Sequence, residues 1–252
     1  MPQTGHLYAD LSGYYDHFCA GVDYTGQCAF ARRAFDCFAA SGGQDYLDLA
    51  CGTGQHLLHM QRQGFVATGL DNSPEMLAQA AARCPGADLL LCDLAAFGQE
   101  SAFDLITCFL YSIHYSHPLA ALAQTLRRAW RGLKPGGVLI FDAVDCRGIR
   151  NDQGVVTRFR DGADLLGFRS AWHYRGDGEV LDLNLAITRQ SRSASHSWQD
   201  HHTMTAATLP QLLALLDATG FEVTVLEHDY SLLQQWRGES YNAIFVACKP
   251  RA

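Results

Sequence analysis

Three carboxylates and two close glycines are spaced through the first half of this chain in a pattern that can hold a nucleotide-like ligand. Asp48 lies inside Tyr46-Leu47-Asp48-Leu49-Ala50-Cys51-Gly52-Thr53-Gly54, an apolar run that enters a glycine turn. Asp71 and Asp93 each follow or end a later apolar run, Phe65 to Leu70 and Asp88 to Cys92. A carboxylate offers two acceptor oxygens, which suit a pair of vicinal hydroxyls or an amino group. Gly52 and Gly54 can adopt left-handed backbone angles and let a ligand lie against the main chain. The free N–H groups at the start of the following helix add donors to the same turn. His114, within Phe109-Leu110-Tyr111-Ser112-Ile113-His114-Tyr115, is the candidate proton acceptor, because imidazole titrates near neutral pH.

Such residues need a scaffold that gathers distant positions, and the hydrophobic pattern supplies one. A helix from Gln55 to Gln63 follows the glycine turn and stops at Gly64. Phe65 to Leu70 reads as a second strand, and Ser73-Pro74 starts a helix that runs to about Arg83. Asp88 to Cys92 and Phe103 to Cys108 read as the third and fourth strands. Helix Pro118 to Arg131, the turn Leu133-Lys134-Pro135-Gly136-Gly137 and a fifth strand, Val138 to Asp142, complete the alternation. This pattern predicts a doubly wound α/β fold with a mostly parallel sheet. Ligands bind such sheets beyond the carboxyl ends of the strands, where Asp48, Asp71, Asp93 and the segment Phe109 to Tyr115 all fall.

After Ala143 the pattern changes. Asp145 to Asp161 reads as a polar, mobile connection. Leu165 to Arg175, Val180 to Arg189 and Ser197 to Met204 read as strands of a small antiparallel insertion, the first two joined at Gly176-Asp177-Gly178. A helix from Thr208 to about Thr219 and two strands, Phe221 to Glu227 and Asn242 to Cys248, return to the main sheet and bring it to seven strands. Upstream, Leu7 to Ala20 and Gln27 to Ala40 read as helices with aromatic faces. The expected organisation is a helical lid over 1–40, a ligand-binding domain over 41–144 and 205–252, and a substrate-covering insertion over 145–204.

Composition narrows the partners. The chain has 252 residues, 48% hydrophobic and 18% charged, and a formal net charge of -7. An acidic chain without a Lys/Arg run is a poor binder of nucleic acid phosphates. Nine cysteines without a C-x-x-C pair point to reduced, buried thiols and a cytoplasmic setting. No stretch is long and apolar enough to span a membrane, and no signal-like start precedes the first helix. The oligomeric state stays open between a monomer and a homodimer.

A dinucleotide fingerprint would place a third glycine where Leu57 stands, and it would not want the acid Asp48 on the first strand. A nicotinamide reductase is therefore the weaker reading. Leu47-Asp48-Leu49-Ala50-Cys51-Gly52-Thr53-Gly54 resembles instead the first motif of the class I S-adenosylmethionine-dependent methyltransferases, and Leu133-Lys134-Pro135-Gly136-Gly137 resembles another of their hallmarks. Ala50 stands where that family usually has glycine. The resemblance implies a Rossmann-like domain with S-adenosyl-L-methionine as cofactor. It places Asp71 at the ribose and Asp93, with Leu94 beside it, at the adenine, and Asn72 and Met76 are further candidate cofactor contacts. Asp48, Ala50, Cys51, Gly52, Gly54, Phe109 and Leu110 would surround the rest of the cofactor.

Within the family, Tyr15-Asp16-His17-Phe18 and Asp23-Tyr24 look like the lid segment of the small-molecule N-methyltransferases, including those of amino sugars and glycine. This implies cofactor and acceptor contacts for Tyr15 and cofactor contacts for Tyr24. The implied acceptor is a small molecule, methylated at nitrogen or oxygen by in-line displacement. Tyr111, Tyr115, Arg169, Trp172, Tyr174, His201 and Arg237 are the candidate acceptor contacts, with Tyr15 and His114 as catalytic candidates. His201 and His202, adjacent on a strand, face opposite sides, so one is expected to face the pocket and no metal is expected there. A non-catalytic S-adenosylmethionine-binding regulatory protein is the competing reading, because fold alone does not establish turnover.

Overall fold

The computed structural model describes residues 3–251. Its main sheet has seven strands: β2 (Asp45–Leu49), β3 (Val66–Asp71), β4 (Asp88–Leu91), β5 (Phe103–Cys108), β6 (Leu133–Val144), β11 (Glu222–Glu227) and β12 (Asn242–Cys248). The remaining strands, β1 (Gln3–Thr4), β7 (Val155–Asp161), β8 (Asp164–Tyr174), β9 (Val180–Gln190) and β10 (Ser195–Thr205), form a second sheet. The helices are α1 (Tyr15–Phe18), α2 (Tyr24–Phe38), α3 (Gln55–Arg62), α4 (Pro74–Arg83), α5 (Leu119–Gly132) and α6 (Leu209–Thr219).

The main sheet runs β11-β12-β6-β5-β2-β3-β4. β12 lies antiparallel between β6 and β11, and the pairs from β6 through β4 are parallel. This is the expected doubly wound, Rossmann-like α/β sheet. The chain winds outward from β2 to β4 and then crosses back to β5, so the switch point lies between β2 and β5. Their register sets Asp48 opposite Thr107 on β5 and Gly69 on β3.

Buried side chains pack on both faces. Leu47, Leu49, Ile106, Leu126 and Phe141 fill one side, while Phe30, Tyr46, Leu57 and Ile140 fill the other. Gly69 is required where α3 crosses β3, because a Cβ there would lie 2.6 Å from Leu57 Cδ1 and 2.8 Å from Cys51 Sγ. The helix ends follow local chemistry. Ser73 caps α4 by accepting from Met76 N–H, and Thr208 with Gln211 forms a capping box on α6.

Two segments differ from expectation. Leu7 to Ala20 is not one helix but a 3-10 turn, Ser12–Tyr14, followed by the short α1. Gly13 weakens the helix there. The bend also lays Tyr8, Tyr14, Tyr15 and Phe18 on the second sheet. The connection from Asp145 to Asp161 contains a 3-10 turn at Cys146–Gly148 and the edge strand β7, paired with β8. The exposed, polar face of β7 hides its periodicity, and Phe159 anchors it against Phe168. The second sheet, β1-β10-β9-β8-β7, therefore has five strands, and β1 joins it from the start of the chain.

Candidate active site

The glycine turn alternates left-handed residues: Ala50, Gly52 and Gly54 have φ of 58°, 53° and 81°. Alanine pays about 1 kcal/mol for that geometry, which glycine would not. Asp71, at the end of β3, braces the turn from beside it. Its Oδ2 accepts Gly52 N–H at 2.9 Å and its Oδ1 accepts Ser73 N–H at 2.9 Å. Burial pushes this carboxyl up, against the pull of the Ser73, Gly52 and Asn72 N–H groups.

Asp48 is 1% exposed at the centre of the sheet. Tyr46 donates to Thr107 Oγ1 at 2.6 Å, and Thr107 donates to Asp48 Oδ1 at 2.9 Å. Asp48 Oδ2 has no partner among the described residues. It lies 3.7 Å from His56 Nδ1. The other His56 nitrogen, Nε2, is 2.8 Å from Gln27 Oε1 and donates to it, so Nδ1 is left as an acceptor. Burial lowers His56 to about 4 and raises Asp48 to about 7. Both groups line a small cavity of about 20 Å³, with Tyr15, Tyr24 and Leu110 among its other walls. Two buried acceptors facing one space call for a cationic donor between them.

This small cavity adjoins a larger one, about 320 Å³, with which it shares Tyr15, Ala50 and Ser112. Asp71, Asn72 and Met76 form its sheet side; Tyr8, Tyr115 and His202 form the side toward the second sheet. Tyr15 lies over the glycine turn, 3.6 Å from where a Gly52 Cβ would stand. Its neighbour Asp16 fastens α1 there, accepting from Thr53 Oγ1 at 2.7 Å and from Arg83 Nη2 at 2.5 Å.

Residues 47–137 match the family described as "Methyltransferase domain". The chain carries a methyltransferase domain. The resemblance to class I S-adenosylmethionine-dependent methyltransferases stands on this match and on the sheet topology. The chain is 36% identical over 142 residues to the dTDP-3-amino-3,6-dideoxy-alpha-D-glucopyranose N,N-dimethyltransferase of Streptomyces fradiae, covering 48% of this chain and 54% of that protein. It is 33% identical over 99 residues to the dTDP-4-amino-2,3,4,6-tetradeoxy-D-glucose N,N-dimethyltransferase of Saccharopolyspora spinosa, 39% of this chain and 40% of that protein. The chain thus spans about half or less of the length of these relatives. The structure is similar to that of a sugar N-methyltransferase from Streptoalloteichus, with a TM-score of 0.81, 25% identity, and 94% of this chain and 93% of that chain covered.

S-adenosylmethionine is the cofactor of this kind of domain, and the residues fit it. The orphaned Asp48 oxygen suits the cofactor's ammonium, the bare Gly52 backbone leaves room beside Tyr15, and Asp71 lines the larger cavity with a carboxylate that suits a pair of hydroxyls. Tyr24, Cys51, Phe109 and Leu110 line the smaller cavity, and Leu94 lines the larger. Asp93 does not line either; it is exposed, and its Oδ1 accepts Ala95 N–H at 2.9 Å between the wall residues Cys92 and Leu94.

Several acceptor-side expectations need correction. His114 lies wholly buried outside both cavities. Its Nδ1–H donates to Thr205 O at 2.8 Å, and its Nε2 accepts Val144 N–H at 3.2 Å. Both nitrogens are used, and burial lowers its proton affinity, so His114 is a latch between β6 and β10 rather than a base. His201 points to the outer face of the second sheet, where it meets Asp182 at 3.0 Å, and it is His202 that faces the cavity. Arg169 is also on that outer face. Arg237 is exposed on the loop after β11, and Tyr174 packs beside Asn151, away from both cavities. Tyr115 lines the larger cavity as expected. Tyr111 and Trp172 meet edge to face, 5.2 Å between centroids, outside the two cavities.

Sequence reasoning missed Asp142, His56, Tyr8 and Asp200, and it left open which of His201 and His202 faces the cavity. Asp142 had a legible signal, an acid at the end of the fifth strand. Asp200 had a weaker one, an acid at an inward position of an alternating strand.

Proposed function

We propose that this protein transfers a methyl group from S-adenosylmethionine to a nitrogen of a small, polar, sugar-like molecule. The observation that carries this reading is the junction of the two cavities at Tyr15. One holds a buried, unpartnered carboxylate oxygen, and the other runs on to a wall of tyrosine and histidine. Bound S-adenosylmethionine supplies an electrophilic methyl on a sulfonium centre.

The chain's residues do the rest. Asp48 and His56 hold the ammonium end, Asp71 accepts from the ribose hydroxyls, and the glycine turn lets the ligand approach. Tyr15, held over the turn by the Asp16 latch, closes the junction and presents an aromatic ring to the cationic centre. The second sheet covers the larger cavity and excludes water, so catalysis is chiefly alignment in a dry site. The names of the amino-sugar dimethyltransferase relatives support nitrogen as the acceptor atom.

Labelled S-adenosylmethionine incubated with a panel of amino-sugar nucleotides, free amino sugars and phenols tests the reading. Label is expected on an amino sugar. Tight S-adenosylhomocysteine binding with no transfer to any member would favour a non-catalytic binding protein instead.

A further inference from the structure

On the side of the larger cavity toward the second sheet, four side chains from three parts of the chain form one continuous hydrogen-bonded line. Tyr8 Oη is 2.8 Å from Tyr115 Oη. Tyr115 Oη is 2.8 Å from His202 Nδ1. His202 Nε2 is 2.9 Å from Asp200 Oδ2. Tyr8, Tyr115 and His202 all line the larger cavity, while Asp200 is 7% exposed behind them.

The direction of the line follows from its inner end. Asp200 also accepts Leu7 N–H at 2.7 Å and His201 N–H at 2.9 Å. Burial would raise this carboxyl, but those bonds and His202 together hold it below the usual carboxylate range. A carboxylate can only accept, so His202 Nε2 carries the proton and Nδ1 presents a lone pair. Tyr115 then donates to His202, and Tyr8 donates to Tyr115. The remaining acceptor capacity of the line is the Tyr8 oxygen, at the cavity wall. Burial raises both phenols well above their ordinary range, so neither rests as a phenolate.

We propose that Tyr8, Tyr115 and His202 form a proton exit from the larger cavity, by which a protonated amine acceptor loses its proton to His202, with Asp200 as the counter-charge. This rests on the reading of the site as a methyl-transfer site. An ammonium has no lone pair and cannot attack a methyl group. In the step, one N–H bond of the acceptor breaks and its electron pair stays on nitrogen. The proton goes to the Tyr8 oxygen, the Tyr8 proton to Tyr115, and the Tyr115 proton to His202 Nδ1. Each phenol gains one proton and loses one, and the net product is a neutral amine and an imidazolium beside Asp200. Other groups near the inner end bear on its titration. The His6 ring is 3.3 Å from Asp200 Oδ1, and His201 with Asp182 lies on the opposite face of β10.

The structure builds this line deliberately into the fold. Tyr8 is placed twice: its carbonyl accepts from Ser73 Oγ, the cap of α4, at 2.5 Å, and the adjoining Leu7 N–H is held by Asp200 itself. Tyr8 also rests on the His202 ring, 4.9 Å between centroids. The same carboxylate that fixes the imidazole tautomer thus fixes the segment carrying the outer phenol.

The test has one readout independent of turnover. Imidazole ¹⁵N NMR of the full chain with S-adenosylhomocysteine should show His202 as the Nε2–H tautomer, and Asp200→Asn should lose that preference. An Nδ1–H tautomer in the wild type overturns the proposal whatever the activity. The second readout is the pH–rate profile with dTDP-3-amino-3,6-dideoxyglucose as the probe acceptor. His202→Asn keeps an acceptor near Tyr115 but cannot take up a proton, so kcat should fall at least tenfold at neutral pH and recover as pH rises. KM and S-adenosylhomocysteine affinity should stay within twofold. An unchanged profile in His202→Asn overturns the proton exit while leaving methyl transfer intact. If the wild type transfers to no acceptor, the functional reading fails, and the tautomer then decides the proton line by itself. Tyr115→Phe, which keeps the ring and removes the link, should reproduce the His202→Asn profile.

Discussion

Asp142 Oδ1 accepts the Tyr111 N–H at 2.7 Å, and this bond sets the shape of the loop that walls the smaller cavity. The other oxygen accepts Leu110 N–H at 3.1 Å and Tyr230 Oη–H at 2.6 Å. Leu110 and Tyr111 both have φ of 59°, a left-handed geometry that costs each of them on the order of 1 kcal/mol. The carboxylate, 1% exposed at the end of β6, offsets that cost with charge-assisted bonds. Asp142→Ala should therefore lower stability by about 3–5 kcal/mol, the range for breaking a buried charged network. Urea denaturation measures the loss. In the fraction that folds, S-adenosylhomocysteine affinity should fall as Leu110 leaves the cavity wall.

Asp48 should make cofactor binding pH-dependent. Its folded, ligand-free carboxyl is pushed up to about 7 by burial, so near neutrality a share of the molecules carry it protonated. A bound ammonium favours the carboxylate. Binding should then release a proton around pH 7, and affinity should fall by up to tenfold per pH unit below that point. Calorimetry in two buffers of different ionisation enthalpy reads the released proton directly. In Asp48→Asn the release should vanish and the affinity should become weak and flat with pH.

His114 stabilises the fold and should leave catalysis alone. His114→Ala removes two buried hydrogen bonds and leaves a space between β6 and β10, a loss of about 2–4 kcal/mol. Turnover per folded molecule should stay within a few-fold. The sign of its pH dependence follows from burial, which lowers its folded proton affinity. The unfolded imidazole takes up its proton near pH 6.5, while the folded one resists. Its contribution is complete above about pH 6.5 and is lost as pH falls toward the lower folded value. The stability gap between wild type and His114→Ala should narrow between pH 7 and 5.

The Asp16–Arg83 pair fastens the segment that carries Tyr15. The two side chains are 36% and 23% exposed, so solvent screens the pair and its worth to global stability is about 1 kcal/mol or less. Its local effect is larger, because Asp16 also receives Thr53 Oγ1–H from the glycine turn. Asp16→Ala should leave the denaturation midpoint nearly unchanged. It should also hasten proteolytic cleavage near α1 and weaken S-adenosylhomocysteine binding several-fold. Equal cleavage rates would show that Tyr15 is held by packing alone.

The site divides into residues readable from the chain and residues that only folding reveals. Asp48, Gly52 and Asp71 announce themselves, because a strand, a glycine turn and a strand-end acid are local patterns whose geometry the backbone enforces; Gly54, expected at the cofactor, lines neither cavity and instead packs against Ala80 of α4. The order and type of the core strands are readable for the same reason, since parallel strands buried on both faces need continuous apolar runs. His114 misled, because a histidine past a strand end satisfies a local rule. Its two partners, Thr205 O and Val144 N, come from other elements.

The acceptor side was hidden for a related reason. Strand alternation shows that His201 and His202 part to opposite faces, but not which face the sheet turns inward. The docking of β10 over the glycine-turn domain decides it, bringing His202 to Tyr115, 87 residues away in the chain. Tyr8 joins only because Asp200 holds Leu7 across 193 residues. By itself, the sequence determined the fold and the glycine turn with its flanking acids, where neighbours in the chain are neighbours in space. The tertiary structure alone decided the line Tyr8–Tyr115–His202–Asp200 on the proposed acceptor side, which needs contacts of about 3 Å between side chains that no local pattern connects.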